Sequence, residues 1–254
     1  MNERKRLYID IEVSPNIGVF WQTGHKVSIG YENIVQERAI ICACWKWEGQ
    51  SKIYSATWDN NKSDKELVKT LAKICGSATE IIAHNGARFD LPWIRTRALF
   101  HRVKFPHSLP IVDTLKVSRG QFKFNSNRLD YISKFTGGHG KLKTEFQWWL
   151  DITLKGNKRA MRDMVTYCKK DVLELERVHK VMQPYLKPVT RVSQDRTDCP
   201  ECGSDHVHLQ DRRMTVSAGV KVVLRCQSCG TSWSVPESTY NKMKNENRTK
   251  TARR

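Results

Sequence analysis

Two sets of residues carry spacings that suit metal ions. In RLYIDIEVSP, Asp10 and Glu12 fall on one parity, and Leu7, Ile9, Ile11 and Val13 on the other. Strand side chains alternate faces, so the two acids stand side by side. Like charges that close repel unless something positive joins them. In HNGARFDLPWI, Asp90 sits where a loop enters a helix, and in YCKKDVLELERV, Tyr167 and Asp171 are four apart and share a helix face. Taken singly, each acid has an ordinary alternative: a solvated strand face, a helix cap, a helix-surface charge. Together, Asp10, Glu12, Asp90 and Asp171 place four carboxylates on three elements around one sheet. A converged, oxygen-rich acid cluster calls for cations and suits Mg²⁺ or Mn²⁺. Two such ions about 3.5–4 Å apart can activate a water and stabilise the attacking and leaving oxygens of a phosphodiester.

The second set is Cys199, Cys202, Cys226 and Cys229, two C-x-x-C pairs, each followed by a glycine (Gly203, Gly230). Four thiolates in two such knuckles suit one closed, tetrahedral, structural Zn²⁺. Few apolar residues lie around them, so zinc binding is expected to fold this segment. His206 and His208 are left out because the cysteines already fill the shell. Cys42, Cys44, Cys75 and Cys168 lie in apolar stretches and read as small buried hydrophobes.

The elements that must position these residues follow from periodicity. Residues 6–13 form a strand. RAIICACWKWEG and SKIYSATW form a strand hairpin turning at EGQS. SDKELVKTLAKICG is a helix with Ser63 and Glu66 as a capping box and Gly76 as its stop. TEIIAHNGARFDLPWIRTRALF reads as strand, loop, helix; IVDTL as a short strand with Asp113 in a structural role; NRLDYISKFTG as a short helix ending at Gly137. TGGHGKLK is a glycine-rich loop whose Lys141 and Lys143 are candidates for phosphate contact, a solvated loop being the alternative. A long helix follows from about Lys158 to Tyr185. Early hairpin strands and later crossovers imply an α/β fold, a mixed sheet flanked by helices. Trp21, in a segment without clear periodicity, is a candidate for stacking on a base.

Lys and Arg total 44 against 26 Asp and Glu, a net charge of +18. That balance points to a polyanionic partner, nucleic acid first. The excess is +13 before residue 190 and +5 after it, so the larger part is itself basic. No stretch approaches the roughly 18 apolar residues of a membrane span, and no apolar run follows the basic amino terminus. The expected location is therefore the cytoplasm, or the host cytoplasm for a phage-encoded chain, with no membrane association.

DIEVSP, HNGARFD and YCKKD resemble, in order, the three motifs of the DEDD 3′→5′ exonucleases, whose fold is RNase H-like. That family includes proofreading domains of DNA polymerases and free-standing phage and bacterial nucleases. The resemblance spans residues 6–185. Y-x-x-x-D marks the tyrosine subclass (DEDDy); the histidine subclass would place a histidine where Thr166 stands. The resemblance implies that Asp10 bridges two Mg²⁺ or Mn²⁺ ions, and that Glu12 and Asp171 complete the site beside the attacking water. It implies that Asp90 helps hold the second ion, partly through water, that Tyr167 orients the attacking water, and that Asn85 shapes the loop near the terminal nucleotide. It implies release of nucleoside 5′-monophosphates from a 3′ end.

The expected organisation is then an exonuclease domain over 1–189, a linker and four-cysteine zinc ribbon over 190–240, and a basic, disordered tail over 241–254. The segment resembles zinc ribbons, which often bind nucleic acid or protein, and Arg212, Arg213, Lys221 and Arg225 are candidates for phosphate contact, as is the terminal tail. The expected partners are single-stranded 3′ ends, with DNA favoured, and a replication or repair protein. A free-standing enzyme is expected, since no polymerase-sized region follows. An RNA exonuclease of the same fold and a non-catalytic nucleic-acid-binding module are the alternatives.

Overall fold

A strand that alternates apolar side chains with Tyr8, Asp10 and Glu12 has to separate two environments, and β1 (Arg6–Val13) does so. The computed structural model describes residues 4–24, 28–140, 144–216 and 219–251; Lys141 and Lys143 lie outside the described residues. After β1 come a two-stranded ribbon, β2 (Ile17–Gly18) and β3 (Ile34–Gln36), then the hairpin β4 (Ile40–Trp47) and β5 (Ile53–Thr57). Next are α1 (Lys65–Ser77), β6 (Glu80–Ala83), α2 (Asp90–Phe100), β7 (Ile111–Asp113) and α3 (Thr114–Gln121). Three more helices follow: α4 (Leu129–Phe135), α5 (Phe146–Lys155) and α6 (Lys158–Met182). The main sheet has the order β5-β4-β1-β6-β7. β4 is antiparallel to both β1 and β5, whereas β6 is parallel to β1 and β7. This is the mixed sheet that the hairpin strands and later crossovers imply, with β1 at its centre.

Register assigns the two faces. Leu7, Ile9 and Ile11 stand opposite Trp47, Trp45 and Ala43. They form one core with Leu67, Val68 and Leu71 of α1 and Leu91, Ile94 and Ala98 of α2. Tyr8, Asp10 and Glu12 stand opposite Lys46, Cys44 and Cys42 on the other face. That face meets α6, whose Met164, Cys168, Val172, Leu175 and Val178 are buried. Lower on the same face the contacts are polar: Tyr8 Oη lies 3.0 Å from His179 Nδ1, and Lys46 Nζ 2.5 Å from Glu176 Oε2.

Several local expectations change. The capping box at Ser63 does not form. α1 starts at Lys65 after Asp64, and the Asp64 side chain makes no cap bond. It turns inward instead, fully buried, accepting from Ile40 N (2.9 Å) and from Arg97 Nε and Nη2 (2.7 and 2.8 Å), with His101 Nε2 at 2.5 Å. Gly76 is not the stop, because α1 runs on to Ser77. Two helices, α3 and α5, occupy segments where the sequence pattern assigns none. Asp113 explains the first: its carboxylate caps α3 by accepting from Leu115 N and Lys116 N.

The chain divides into two units, Lys5–Val181 and Met182–Arg254 with Met1–Arg4. The division falls before residue 189 because Gln183 already bonds to Glu201, at 2.6 Å, within the smaller unit. Arg4 does likewise, donating to the carbonyls of Thr190 (2.8 Å) and Pro200 (2.9 Å) and pairing with Glu201 at 2.8 Å. The smaller unit holds β8 (Val207–Thr215), β9 (Gly219–Cys226) and β10 (Ser232–Pro236) in the order β10-β9-β8, then α7 (Glu237–Thr251). The tail expected to be disordered is thus helical through Thr251. Tyr240 packs with Trp233 on Val222, Leu224 and Val235, and Glu237 pairs with Arg212, which fixes the start of α7. No helix among the described residues is long and apolar enough to cross a membrane.

Asp64 ties α1, α2 and β4 together, which gives a stability test. Burial works against its charge, but Arg97, the Ile40 amide and His101 outweigh that and hold it below its ordinary 3.8. A depressed carboxyl contributes stability that is complete above its ordinary value and lost as pH falls through the lower folded value. Asp64→Asn should destabilise the chain by about 3 kcal/mol at neutral pH, because Arg97 is left buried without its counter-charge. Urea denaturation at pH 7 and pH 3 should show that deficit shrinking at the lower pH.

Candidate metal centres and active-site cleft

Asp10 and Glu12 reach the same place because they are two residues apart on β1. Asp171 joins them because α6 lies close over that strand. The approach depends on small side chains at the contact. Cys168 Sγ lies 3.4 Å from the Asp10 carbonyl oxygen, and Cys44 Sγ 3.6 Å from that of Val165. One carboxylate oxygen each from Asp10, Glu12 and Asp171 then lies within 4.8 Å of the others. Asp171 is buried; Asp10 and Glu12 are half-buried. The donor set is hard oxygen throughout, which fits Mg²⁺ or Mn²⁺ rather than a soft metal.

Asp90 is next to this group but does not join it. β6 pairs with β1 only as far as Tyr8↔Ile82. Beyond that point Asp90 Oδ1, from the first residue of α2, accepts the Ile11 amide at 3.2 Å. Asp90 is 2% exposed, and burial first and the charge of Asp10 second push its carboxyl well above the ordinary range. The amides of Asp90 and Ile11 pull the other way. A cation nearby would favour its charged form.

Tyr167, one turn before Asp171 on α6, is buried and lines a cleft of about 700 Å³ together with Asn85, His84, Arg119 and Arg128. Asn85 adopts φ +70° in the loop between β6 and α2. That loop is bolted from β7, since Asp113 accepts the amides of Asn85 (2.9 Å) and Ala87 (3.1 Å). The same carboxylate that caps α3 therefore sets the loop. A second hollow, of about 430 Å³, shares Asn85, Leu115 and Arg119 with the first and adds Arg88 and Lys116. Tyr167, one turn before Asp171 on α6, thus links the acid group to a cleft lined by Arg119 and Arg128 as well as by Asp130. Lys116, Arg119 and Arg128 were not singled out from the sequence. The spacing of Lys116 and Arg119, three apart on one helix face, is the signal that α3 would have made visible.

Cys199, Cys202, Cys226 and Cys229 each bring a sulfur within 4.8 Å of the rest. The two knuckles repeat one backbone pattern. Cys199 N donates to Ser204 O (2.8 Å) and Gly203 N to Cys199 O (2.9 Å). Cys226 N donates to Thr231 O (2.9 Å) and Gly230 N to Cys226 O (3.0 Å). Gly203 and Gly230 have φ of +75° and +78°, the left-handed conformation each knuckle needs. Burial disfavours a thiolate at Cys226, but the Cys229 and Ser228 amides and neighbouring thiols outweigh it and bring this thiol down to about 6. Four sulfurs and a closed geometry suit structural zinc.

Among the described residues the buried apolar cluster of the ribbon is just Val222, Leu224 and Val235, so metal is expected to be essential to it. Cys226→Ser in the full chain should drop bound zinc, measured by plasma emission, from one per chain to well below half. It should also strip amide-exchange protection from β8–β10. Unchanged zinc content would show that the cluster is not the site.

A family model described as the RNase H superfamily matches residues 33–183, more than half of the chain. It begins after β1, so Asp10 and Glu12 lie outside the matched region while Asp90, Tyr167 and Asp171 lie within it. Among solved structures, the chain is similar to the family B DNA polymerase from the hyperthermophilic archaeon Pyrobaculum calidifontis. The TM-score is 0.56 at 14% sequence identity, over 72% of this chain and 25% of the polymerase. The chain thus spans about a quarter of that protein, and the likeness is one of fold. No curated protein matches. The sheet order, the helices that flank it and the family match over 33–183 agree: the chain belongs to the RNase H superfamily.

Proposed function

We propose that this chain is a metal-dependent 3′→5′ exonuclease of the DEDDy type that releases nucleoside 5′-monophosphates from single-stranded 3′ ends, DNA before RNA. One observation carries the reading. Asp10, Glu12 and Asp171 meet between β1 and α6, and Tyr167, one turn before Asp171, lines a cleft with Asn85, Arg119 and Arg128. Superfamily membership supports a nucleic-acid substrate, and the fold shared with a DNA polymerase supports DNA.

In this reading Asp10, Glu12 and Asp171 hold two Mg²⁺ or Mn²⁺ ions, with Asp90 contributing to one of them. Bound there, the ions lower the pKa of the attacking water and offset the negative charge that builds on the phosphoryl oxygens. The chain's own groups do the positioning. Tyr167 orients the water by hydrogen bonding through its hydroxyl. Asn85, held by Asp113, frames the terminal nucleotide. Arg119 and Arg128 grip the phosphates that precede it. The zinc ribbon, with Arg212 and Arg213 exposed on β8, assists by holding nucleic acid or a replication or repair partner.

The test is digestion of matched DNA and RNA oligonucleotides, labelled at the 3′ or the 5′ end, in Mg²⁺ or Mn²⁺. Wild-type protein should release labelled mononucleotide at once from the 3′-labelled DNA and leave a descending ladder from the 5′-labelled strand. Asp10→Ala should lower the rate roughly a thousandfold, about 4 kcal/mol of transition-state stabilisation. Tyr167→Phe should lower it on the order of tenfold to a hundredfold. An unchanged rate in Asp10→Ala, with circular dichroism showing the fold intact, would sink the mechanism. Tight binding without digestion would point to a binding module, and faster digestion of RNA to the RNA enzyme.

A further inference from the structure

The segment from β2 through β3 has an unusual surface. Val19, Phe20, Trp21, Ile29, Tyr31 and Val35 are all exposed, Trp21 fully (101%) and Tyr31 at 85%. Exposed apolar side chains gathered in this way mark a contact surface more than a fold requirement.

The arm is built rather than loose. Ser14 N donates to Ala39 O at 2.9 Å, Ala39 N to Ser14 Oγ at 2.9 Å, and Arg38 N to Asn16 Oδ1 at 3.1 Å, which clamps its two roots together. Further out, Val19 N donates to Asn33 O at 2.9 Å and Asn33 Nδ2 to Val19 O at 3.0 Å. Asn33 thus pins the arm just before Phe20 and just after Tyr31. The arm leaves the main sheet two residues beyond Glu12, at the end of β1 that carries the acid group. Trp21 is nine positions after Glu12, so the two Cα atoms lie at most about 32 Å apart.

We propose that this arm is a stacking platform for the bases of single-stranded nucleic acid whose 3′ end lies at the acid group. The inference rests on the nuclease reading, which supplies the strand and its direction. Three features favour nucleic acid over protein as the occupant. The arm springs from the end of β1 that carries Asp10 and Glu12. It offers three rings, from Phe20, Trp21 and Tyr31, and every base has a face to stack on one, whatever the sequence. The arm's sequence carries Glu32 and Glu37 against Lys26 and Arg38, so it contributes rings and no net charge. Phosphate attraction is left to the rest of a chain whose net charge is +18. Rings at the arm and cations in the cleft are complementary parts of a single-strand site.

The test uses the full chain and a fluorescein-labelled oligothymidylate of about 20 nucleotides. Anisotropy is read in Ca²⁺, alongside hydrolysis of the p-nitrophenyl ester of thymidine 5′-monophosphate in Mn²⁺. Trp21→Ala should weaken oligonucleotide affinity about tenfold, and Trp21→Phe should restore most of it. The slope of affinity against salt should not change, because no phosphate contact is lost. The small ester carries one base and no strand to lie along the arm, so it should be hydrolysed at the wild-type rate. Unchanged oligonucleotide affinity in Trp21→Ala, Tyr31→Ala and the double variant would overturn the proposal and leave the arm to a protein partner. The two readings fail separately: a wild-type chain that never hydrolyses the ester removes the nuclease, while the anisotropy ratio decides the arm.

Discussion

Three carboxylates within 4.8 Å of one another repel, and the larger unit is arranged so that they cannot move apart. Asp10 and Glu12 are fixed by the period of β1, the central strand of a five-stranded sheet. Asp171 is fixed by α6, whose contact with β1 and β4 runs through the small thiols of Cys168 and Cys44. Larger side chains there would lift the helix and relax the repulsion. Beneath the acids the same sheet face turns to paired polar groups, Tyr8 with His179 and Lys46 with Glu176, which bind α6 to the sheet along its length. Repulsion preserved by packing makes a site whose favourable partner is a divalent cation.

The smaller unit uses the same principle with softer donors. Its buried apolar core is a patch of Val222, Leu224 and Val235 backed by Trp233 and Tyr240, too little to order three strands and a helix alone. The two cysteine knuckles bring four sulfurs together through matching backbone bonds, each turned by a left-handed glycine. In the larger unit a core already holds the acid group in place, and metal there would add chemistry. In the ribbon, zinc would take over much of the role of a core.

Much of this was legible in the sequence, and the exceptions have physical reasons. The parity of β1, the four-residue spacing of Tyr167 and Asp171, and the knuckle spacing are local patterns, and local patterns survive into the structure. The position of Asp90 relative to the other acids is not local. It depends on β6 ending at Ala83, which exposes the Ile11 amide and draws one Asp90 oxygen to it. α3 and α5 are short, eight and ten residues, and helices of that length are marginal without tertiary support. The Asp113 cap supplies part of that support for α3, and nothing in IVDTL announces it. Because α3 was not visible, neither was the cationic wall formed by Lys116 and Arg119. The capping box at Ser63 fails because α1 begins one residue later, with Asp64 at the cap position and its carboxylate turned to Arg97 and His101.

The central claim is that the acid group is a divalent-cation centre separate from the zinc site. Titration of the zinc-loaded full chain with Mn²⁺, followed by electron paramagnetic resonance, tests it most directly. Wild-type protein should bind Mn²⁺ saturably, and Asp171→Ala should lose that binding while its zinc content stays the same. Equal Mn²⁺ binding by the two proteins would contradict the assignment, because Asp10 and Glu12 on one strand would then need no partner from α6.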